Sequence, residues 1–368
     1  MRVTNISLEN FRNYRNSSIQ FHPGINVIYG ENAQGKTNLL EAVNYLTSAR
    51  SMRARSDREL ITFGEEYAKI CERVWSENRE IELEARISVN GRKKLSKNGV
   101  HLKNGTELSG ILNTVLFSPD DLYLIRGGAA IRRRFLDASI CQLRPRYAKA
   151  LSEYNRIYEH KLRILKDWRE KEDLLEPLDE FNFQLAQTEA VLIHYRAHYI
   201  RKLKEYAPPI HQEFSGGREK LDFSYQTVKE ITNPEDSPSV LLPLLLEQQK
   251  RLKSAELESE SCLAGAHKDD LIITLNGNSA KTYGSQGQIR TAALSLKLAE
   301  REIFYNDSGE YPVLLLDDVL SELDPKRQNF VLNRIQGGQV FITCCEDERL
   351  ESLKDGMVFH IHGGKVIQ

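Results

Sequence analysis

The sequence predicts an α/β fold: a phosphate-binding-loop domain with a mixed sheet, flanking helices and an antiparallel β section. A glycine-rich loop, Gly30–Thr37, lies between a strand pattern and an amphipathic helix pattern. A second apolar strand ends in Asp317 and Asp318, 281 residues after Lys36. Between these motifs the hydrophobic period becomes helical from about residue 125 to residue 207. This change indicates that a mostly helical lobe is inserted into the domain.

The first half of the predicted site is the glycine-rich loop. The apolar run Ile25–Tyr29 before it is typical of a buried strand, and the apolar residues after it recur at helical spacing. In a strand–loop–helix arrangement, backbone N–H groups and the helix N-terminus surround a polyphosphate. Lys36 would reach the β- and γ-phosphates, and the Thr37 hydroxyl would coordinate Mg²⁺. The residues expected to bind a nucleoside triphosphate here are Gly30, Glu31, Asn32, Ala33, Gln34, Gly35, Lys36, Thr37 and Asn38.

The second half of the predicted site follows the apolar run Tyr311–Leu316. A parallel strand buried on both faces has this composition, and functional groups collect at the C-terminal ends of such strands. We expect Asp317 to hold Mg²⁺ opposite Thr37, and Asp318 to orient or deprotonate an attacking water. The alternative, that one aspartate caps the next helix, accounts for only one of the two carboxylates.

A third motif, Ser285–Gln288, precedes a helix pattern and predicts another anion-binding helix N-terminus. One protomer cannot easily use two such sites on one γ-phosphate, whereas two protomers arranged head to tail can. Ser285, Gly287 and Gln288 are therefore expected to contact the nucleotide of a partner subunit. The segment Ser321–Asp324 would then lie along the shared interface.

The order of these motifs resembles that of the ABC-type ATPase heads, and in particular the RecF family. The length fits this family, because an SMC protein would need hundreds of coiled-coil residues in the insertion. The segments that carry the closer likeness are Ile6–Tyr14, Phe117–Leu122, Arg132–Asp137 and Gly265–Leu271.

The resemblance implies an ATPase head that binds ATP and Mg²⁺, with Lys36, Asp317 and Asp318 as catalytic residues. It also implies an ATP-dependent homodimer that binds double-stranded DNA near single-strand gaps. With RecO and RecR, such a protein would promote loading of RecA during DNA repair and replication.

Three departures from the general ABC-type pattern predict slow, switch-like ATP hydrolysis. The chain has no clear glutamine-containing loop between its two halves. Cys344 and Cys345 stand where many relatives carry a switch histidine. Asp318 stands where a glutamate is usual, and its shorter side chain lies further from the water that it would activate.

Two other classes of protein were weighed against this assignment. One is an SMC-like or transporter-coupled ATPase that acts on protein partners, which the missing coiled coil disfavours. The other is a P-loop nucleotide phosphotransferase, in which the Ser285–Gln288 turn would have no use.

The formal net charge is −1, so a DNA-binding surface would have to be a local basic patch. For each basic patch, the alternative to DNA binding is that the patch is a solvent-exposed face whose charge is balanced by nearby acidic residues. The residues expected to contact DNA are Arg53, Arg55, Arg132, Arg133 and Arg134. A further candidate helix carries Arg196, Arg201, Lys202 and Lys204.

The predicted layout has three parts: an N-terminal half of the head (1–120), a helical lobe (121–258) and a C-terminal half (259–368). Two long helices should form a hairpin in the lobe, and the second should end at Pro208-Pro209. Tyrosines at helical spacing in this hairpin predict core packing rather than base stacking. In the N-terminal half, hairpin turns are expected at Asn90-Gly91, Asn98-Gly99 and Asn104-Gly105.

Composition favours a cytoplasmic protein. Hydrophobic residues make up 40% and charged residues 28% of the chain, and no apolar run approaches the ~20 residues that span a bilayer. The first residues show no signal-peptide pattern. Five scattered cysteines without metal-ligand spacing favour reduced thiols. Of these, the adjacent Cys344 and Cys345 are expected to be packing residues.

Overall fold

The computed structural model describes residues 1–319, 323–345 and 356–367. Ser321 and Glu322 of the predicted interface segment lie outside the described residues. The chain divides into two compact units. The first unit consists of Met1–Asp121 together with the chain from Leu294 onward, and the second unit is Leu122–Ala293.

The described residues form fifteen strands and nine α-helices. The strands are β1 (Arg2–Phe11), β2 (Tyr14–Gln20), β3 (Ile25–Tyr29), β4 (Tyr67–Ser76), β5 (Arg79–Ser88), β6 (Lys94–Lys97), β7 (Val100–Leu102), β8 (Thr114–Phe117), β9 (Leu221–Gln226), β10 (Asp270–Leu275), β11 (Asn278–Ser279), β12 (Val313–Leu316), β13 (Val340–Cys344), β14 (Gly356–His362) and β15 (Lys365–Ile367). The helices are α1 (Lys36–Tyr45), α2 (Tyr123–Arg126), α3 (Ala129–Leu143), α4 (Pro145–Asp167), α5 (Leu178–Ser215), α6 (Pro238–Ser259), α7 (Ala280–Tyr283), α8 (Gln286–Ser308) and α9 (Pro325–Arg334). None of these helices is both long and apolar enough to cross a lipid bilayer.

A mostly parallel sheet of the first unit has the strand order β15-β14-β3-β13-β12-β8. Four residues of β12 are all buried, as predicted for a strand covered on both faces. Leu316 pairs with Ile342, and Thr343 pairs with Ile28. This register brings the C-terminal ends of β12, β13 and β3 to one edge, where the phosphate loop and the aspartates begin.

The second sheet of this unit is antiparallel, with the order β2-β1-β4-β5-β6-β7. One hydrophobic core contains side chains of both sheets and of α1, which fixes the helix after the loop. The predicted turns at Asn90-Gly91 and Asn98-Gly99 connect β5 to β6 and β6 to β7. The prediction at Asn104-Gly105 was wrong, because the Asn104 side chain accepts the Thr106 N–H and starts a short 3₁₀ helix there.

The second unit contains the predicted helical hairpin, formed by α4 and α5. The expected end of the second helix at Pro208-Pro209 was wrong, since α5 continues through both prolines to Ser215. Each proline removes only its own N–H bond, and Ile210 beyond them is buried. The helix ends at Gly216, which is left-handed, with Gly217 N–H donating to Gln212 O at 2.8 Å.

The core of the second unit includes charged groups that are paired with one another. Arg196 donates to both carboxylate oxygens of Asp137 and to Asp269 Oδ2, at 2.8, 3.1 and 2.7 Å. Its side chain is 3% exposed, which removes Arg196 from the DNA-contact candidates. Of the tyrosines at helical spacing in the hairpin, Tyr154 and Tyr199 are buried and Tyr158 and Tyr195 are half-buried, which agrees with the prediction of core packing.

The helical lobe was predicted to end at residue 258, whereas the second unit continues to Ala293. The difference follows from strand pairing. β9 lies in the predicted lobe and β10 beyond it, yet they form one three-stranded sheet with β11.

Glu189 on α5 is fully buried, and its two carboxylate oxygens have no side-chain hydrogen-bond partner among the described residues. Burial, reinforced by the charge of Asp269, raises the pKa of Glu189 to about 8, while Lys161 opposes this shift. In the folded chain, Glu189 therefore keeps its proton at pH values above 4.5, the ordinary pKa of glutamate, whereas in the unfolded chain Glu189 loses the proton there.

We expect the wild-type free energy of unfolding to fall as pH rises from about 4.5 to about 8, by at most about 1.4 kcal/mol per pH unit. Glu189→Gln should remove this contribution, so its stability advantage over wild type should grow through that window and level off above it. Urea unfolding at several pH values measures the difference. The exposed Glu205→Gln on the same helix serves as the control, and parallel pH profiles for Glu189→Gln and wild type would contradict the assignment.

Candidate functional site

The phosphate loop follows β3 and adopts a backbone that requires glycine at two positions. Gly30 has φ +151° and Gly35 has φ +116°. A Cβ atom on Gly30 would lie 2.4 Å from Ile361 O, and one on Gly35 would lie 2.5 Å from Asn13 Nδ2. The loop thus lies in close contact with Ile361 and Asn13. Neither glycine can be replaced without a shift of the backbone or of neighbouring side chains.

Side chains and turns of the first unit hold the loop in this shape. Asn13 Nδ2 donates to Gln34 O at 2.8 Å, and Asn38 Nδ2 donates to Asn13 Oδ1 at 2.9 Å. The Gly363 N–H donates to Gln34 Oε1 at 2.7 Å, and the Tyr14 hydroxyl donates to Gly35 O at 3.0 Å. Gln34 and Asn38, predicted as nucleotide ligands, therefore use their side chains here to shape the loop. Asn13 and Tyr14 belong to the segment Ile6–Tyr14, which carried the family likeness but was not predicted to support the loop.

Lys36 is the cation of the loop and is only 8% exposed. Its ammonium group donates to Gly30 O at 2.5 Å and to Glu31 O at 3.0 Å. A third contact, at 3.4 Å, is with Cys345 Sγ. Within the described part of the chain, no carboxylate lies within ion-pair distance of Lys36. A buried cation surrounded by neutral acceptors is suited to receive an anion.

Asp317 connects the two halves of the site. Its Oδ1 accepts a hydrogen bond from Thr37 Oγ1 at 3.0 Å and another from Thr343 Oγ1 at 2.9 Å. Burial raises the pKa of Asp317, while these two hydrogen bonds and the Arg53 charge oppose the rise. Residues 280 positions apart in sequence thus meet directly, as the motif order predicted.

The oxygens of Thr37 and Asp317 fit a Mg²⁺ site. Mg²⁺ prefers oxygen ligands, and in phosphate sites it keeps several waters and substrate oxygens rather than a complete protein cage. Residues 1–319, 323–345 and 356–367 contain no cluster of three or more His, Cys, Asp or Glu side chains that could hold a metal by itself.

Asp318 lies next to Asp317 but differs from it in backbone conformation. Its φ of +54° is in the left-handed region, which Asp tolerates better than most residues. The Asp318 N–H donates to Thr343 Oγ1 at 2.8 Å, which fixes the turn after β12. Both aspartates line one cavity of about 230 Å³. The other residues lining it are Asn32, Ala33, Gly35, Lys36, Thr37, Asn38, Arg53 and Thr343.

Arg53 was predicted to contact DNA, and the structure places it at this cavity. Its Nη2 donates to Asn38 Oδ1 at 2.7 Å and lies 3.4 Å from Glu41 Oε2. Burial alone would raise the pKa of Glu41, but hydrogen bonds from Arg12 and Ser51 and the charges of Arg12 and Arg53 hold it below its ordinary value. Sequence reasoning did not identify Glu41, although an acid among the apolar residues of α1 could have suggested a buried ion pair.

Arg55 is exposed, and so is Arg58 on the same segment. Neither guanidinium forms an ion pair with a carboxylate in the described part of the chain. This segment of the first unit therefore presents free positive charge to solvent.

The Arg132–Arg134 cluster does not present three free cations. Arg132 is 7% exposed and forms a bidentate pair with Asp270, at 2.7 and 2.8 Å. Arg133 Nη1 donates to Asp269 O at 2.6 Å. Of the three predicted DNA contacts, Arg132 is corrected to a buried structural cation, and only Arg134 is exposed. The cause is helical geometry, because consecutive residues of α3 point in different directions.

The Ser285–Gln288 turn forms a capping box in the second unit. The Ser285 N–H donates to Gln288 Oε1 at 2.8 Å, and the Gln288 N–H donates to Ser285 Oγ at 3.3 Å. Gln288 Nε2 also donates to Glu219 Oε1 at 3.1 Å. The motif thus builds the N-terminus of α8, and Ser285 and Gln286 are exposed there. The spacing Ser-x-x-Gln was itself a capping signal that the sequence reasoning did not use.

Comparison with known proteins agrees with this geometry. The profile of the RecF/RecN/SMC N-terminal domain matches residues 2–364. The DNA replication and repair protein RecF of Alkaliphilus oremlandii is 39% identical over 368 residues, which is 100% of both chains. The chain belongs to the RecF family. The RecF-family assignment made from the motifs is confirmed.

Two solved structures are similar in fold to this RecF-family chain. The recombination mediator protein RecF with ATP, of the RecFOR pathway, has a TM-score of 0.90 and 37% identity, over 99% of this chain and 96% of that one. An Smc head domain, solved with the C-terminal domain of ScpA derived from Pyrococcus furiosus, has a TM-score of 0.57 at 18% identity, over 99% of this chain and 95% of that one. The second likeness shows the fold alone. The predicted ABC-type ATPase-head fold is confirmed.

The two aspartates should respond differently to removal of charge. Asp317→Asn should weaken Mg²⁺-dependent nucleotide binding about tenfold or more, because it would remove the charged oxygen that is expected to hold Mg²⁺. Asp318→Asn should leave binding largely intact and slow hydrolysis by about 10²-fold or more, the usual contribution of a general base. Asparagine also tolerates the left-handed backbone at position 318, so the change removes charge without adding strain.

Fluorescent-nucleotide titration and single-turnover phosphate release on both variants separate these effects. Equal loss of binding in the two variants, or unchanged hydrolysis in Asp318→Asn, would show that the roles are wrongly assigned.

Proposed function

We propose that this protein is a DNA replication and repair protein that binds ATP and Mg²⁺ in the cavity of the first unit. The hydrogen bond between Thr37 and Asp317 carries this proposal, because it joins the phosphate loop to the strand-end carboxylate. The similarity to a RecF structure that contains ATP supports the identity of the nucleotide.

The residues of the cavity suit a triphosphate. Lys36 would exchange the Gly30 and Glu31 carbonyls for β- and γ-phosphate oxygens, and the N–H groups of the loop would donate to the same phosphates. Arg53 lies at the edge of the cavity and could add a second positive charge. Thr37 and Asp317 would hold Mg²⁺, which neutralises phosphate charge when bound.

Hydrolysis would be slow and would serve as a switch. Asp318 would orient or deprotonate the attacking water from the turn after β12. Cys344 ends β13 and Cys345 follows it, so neither position carries a histidine. Because hydrolysis would be slow, such a site would hold ATP for a long time. The ATP-bound state could then control assembly of the protein.

ATP binding would close a head-to-tail homodimer. Ser285 and Gly287 lie at the N-terminus of the 23-residue helix α8, whose first N–H groups are suited to a partner's γ-phosphate. The position of Ser285 at the exposed start of that helix supports this role.

The closed dimer would bind duplex DNA near gaps. Arg55 of the first unit and Arg134 of the second are exposed cations that would contact phosphates, and two protomers double their number. Each neutralised phosphate adds counterion release, so doubling the contacts raises affinity steeply. RecO and RecR are proposed as partners because a similar structure belongs to the RecFOR pathway, and the complex would promote RecA loading.

DNA binding measured with and without ATP tests the whole proposal. In the presence of ATP and Mg²⁺, wild-type affinity for gapped duplex should rise about tenfold or more, with a steeper salt dependence as more phosphates are contacted. Lys36→Met should lose the ATP-dependent rise and keep its fold, because the loop amides remain. The exposed Lys94→Met of the same unit is the matched control. An ATP-dependent rise in a folded Lys36→Met variant would contradict the proposed nucleotide site.

A second experiment tests the composite dimer site. Ser285→Arg should abolish ATP-driven dimerisation while monomer affinity for ATP changes less than about threefold, since the phosphate loop of the same chain is unaltered. Asn306→Arg, an exposed position near the other end of α8, is the control. Equilibrium sedimentation and fluorescent-ATP titration report the two quantities. A Ser285→Arg variant that still dimerises with ATP would refute the composite site.

A further inference from the structure

Glu219, in the connection between α5 and β9, was not predicted to belong to any site. Its Oε1 accepts a hydrogen bond from Gln288 Nε2 at 3.1 Å, and its Oε2 accepts one from His211 Nε2, also at 3.1 Å. The His211 side chain is fully buried, so it holds the second oxygen in place. The Glu219 N–H donates to Ser215 Oγ at 3.3 Å, which ties the backbone of the connection to the end of α5. Both the backbone and the side chain of Glu219 are thus fixed.

Glu219 determines which way the Gln288 amide points. An amide carries an oxygen that only accepts hydrogen bonds and a nitrogen that only donates them. Two groups face this amide: the Ser285 N–H, which only donates, and the Glu219 carboxylate, which only accepts. One orientation satisfies both, with Gln288 Oε1 at 2.8 Å from Ser285 N and Nε2 directed to Glu219. In the reversed orientation, donors would face donors and acceptors would face acceptors.

The orientation of this amide closes the capping box at the start of α8. Gln288 Oε1 accepts the Ser285 N–H, and Ser285 Oγ accepts the Gln288 N–H at 3.3 Å. The first turn of a helix has N–H groups without intrahelical acceptors, and those of Gln286 and Gly287 are not used by the box. The closed box therefore holds the turn in one conformation, in which these two N–H groups can serve an anion.

We propose that Glu219 is a positioning residue for the nucleotide of the partner subunit. It would act through Gln288, by holding Ser285 and the first turn of α8 in the geometry that receives a γ-phosphate. The Glu219 side chain itself would not touch the nucleotide. Because the turn is ordered before the phosphate arrives, less ordering remains to be done when the dimer forms. This inference rests on the proposed head-to-tail dimer.

Removal of the carboxylate tests the role of Glu219 in the full chain. Glu219→Ala should weaken ATP-driven dimerisation about tenfold or more, because a hydrogen bond to a charged group is lost at both composite sites of the dimer. Its monomer affinity for ATP should change less than about threefold, since the phosphate loop belongs to the first unit and is unaltered. Equilibrium sedimentation with ATP and Mg²⁺ and fluorescent-ATP titration measure the two quantities. Glu205→Ala, at an exposed acid of α5, is the matched control and should behave as wild type.

An exchange of the two side chains separates positioning from general stability. Gln288→Glu would place a second carboxylate against Glu219 and should weaken dimerisation about tenfold or more. In the double variant, Glu219→Gln with Gln288→Glu, the carboxylate at position 288 would accept from the Ser285 N–H and from the amide nitrogen at position 219. The amide oxygen at position 219 would accept from His211. Every hydrogen bond is then kept with one direction reversed, so dimerisation should return to within about threefold of wild type, and this variant tests the proposal even if Glu219→Ala fails to fold.

The outcomes separate this inference from the proposed dimer. If wild type does not dimerise with ATP, or if Ser285→Arg still dimerises, the composite site is wrong and this inference falls with it. If wild type dimerises and Ser285→Arg does not, only the role of Glu219 is under test. That role is refuted by a folded Glu219→Ala variant that dimerises as well as wild type, or by a double variant no better than Gln288→Glu. An equal loss of monomer ATP affinity in Glu219→Ala would also overturn it, because the residue would then act on the whole fold.

Discussion

The parallel register of β3, β13 and β12 is the constraint on which the site depends. It aligns the C-terminal ends of three strands that come from opposite ends of the chain, and this alignment brings Thr37, Thr343 and Asp317 within hydrogen-bond distance. Parallel neighbours need long connections, and here the connection from β3 to β12 contains the whole second unit. The insertion can therefore be large without disturbing the phosphate site, because the sheet register and the side chains that hold the loop belong to the first unit.

The elements that local sequence signals specify were predictable. A glycine-rich loop between a strand and a helix is typical of the phosphate-loop conformation. A fully apolar strand such as β12 is typical of a sheet that is covered on both faces. Hairpin turns at Asn98-Gly99 were predictable for the same reason, since the left-handed conformation that they need is available to these residues. The turn at Glu77-Asn78, with φ values of +50° and +60°, carries a weaker signal and was not predicted.

Side-chain roles that depend on distant partners were not predictable. Three consecutive arginines form a basic cluster in sequence, but Arg132 meets Asp270 across 138 residues and becomes a buried cation. Arg196 is likewise neutralised by Asp137 and Asp269. The sequence shows which residues are charged, whereas the partner that neutralises each charge is set by the tertiary structure. For the same reason Arg53, tied to Glu41 and Asn38, belongs to the cavity as much as to any DNA-binding surface.

The polar contacts of the cavity favour holding a ligand over rapid chemistry. Thr343 Oγ1 accepts a hydrogen bond from the Asp318 N–H and donates one to Asp317 Oδ1, so one hydroxyl holds the Asp317 carboxylate and the Asp318 backbone in place. Lys36 is already turned into the loop, and the loop is held by Asn13 and Tyr14, so little ordering is needed when phosphate arrives. Such preorganisation strengthens binding of the ground state, which raises affinity without raising the rate of hydrolysis. Such a site agrees with the proposed switch, in which the ATP-bound state rather than turnover would control assembly.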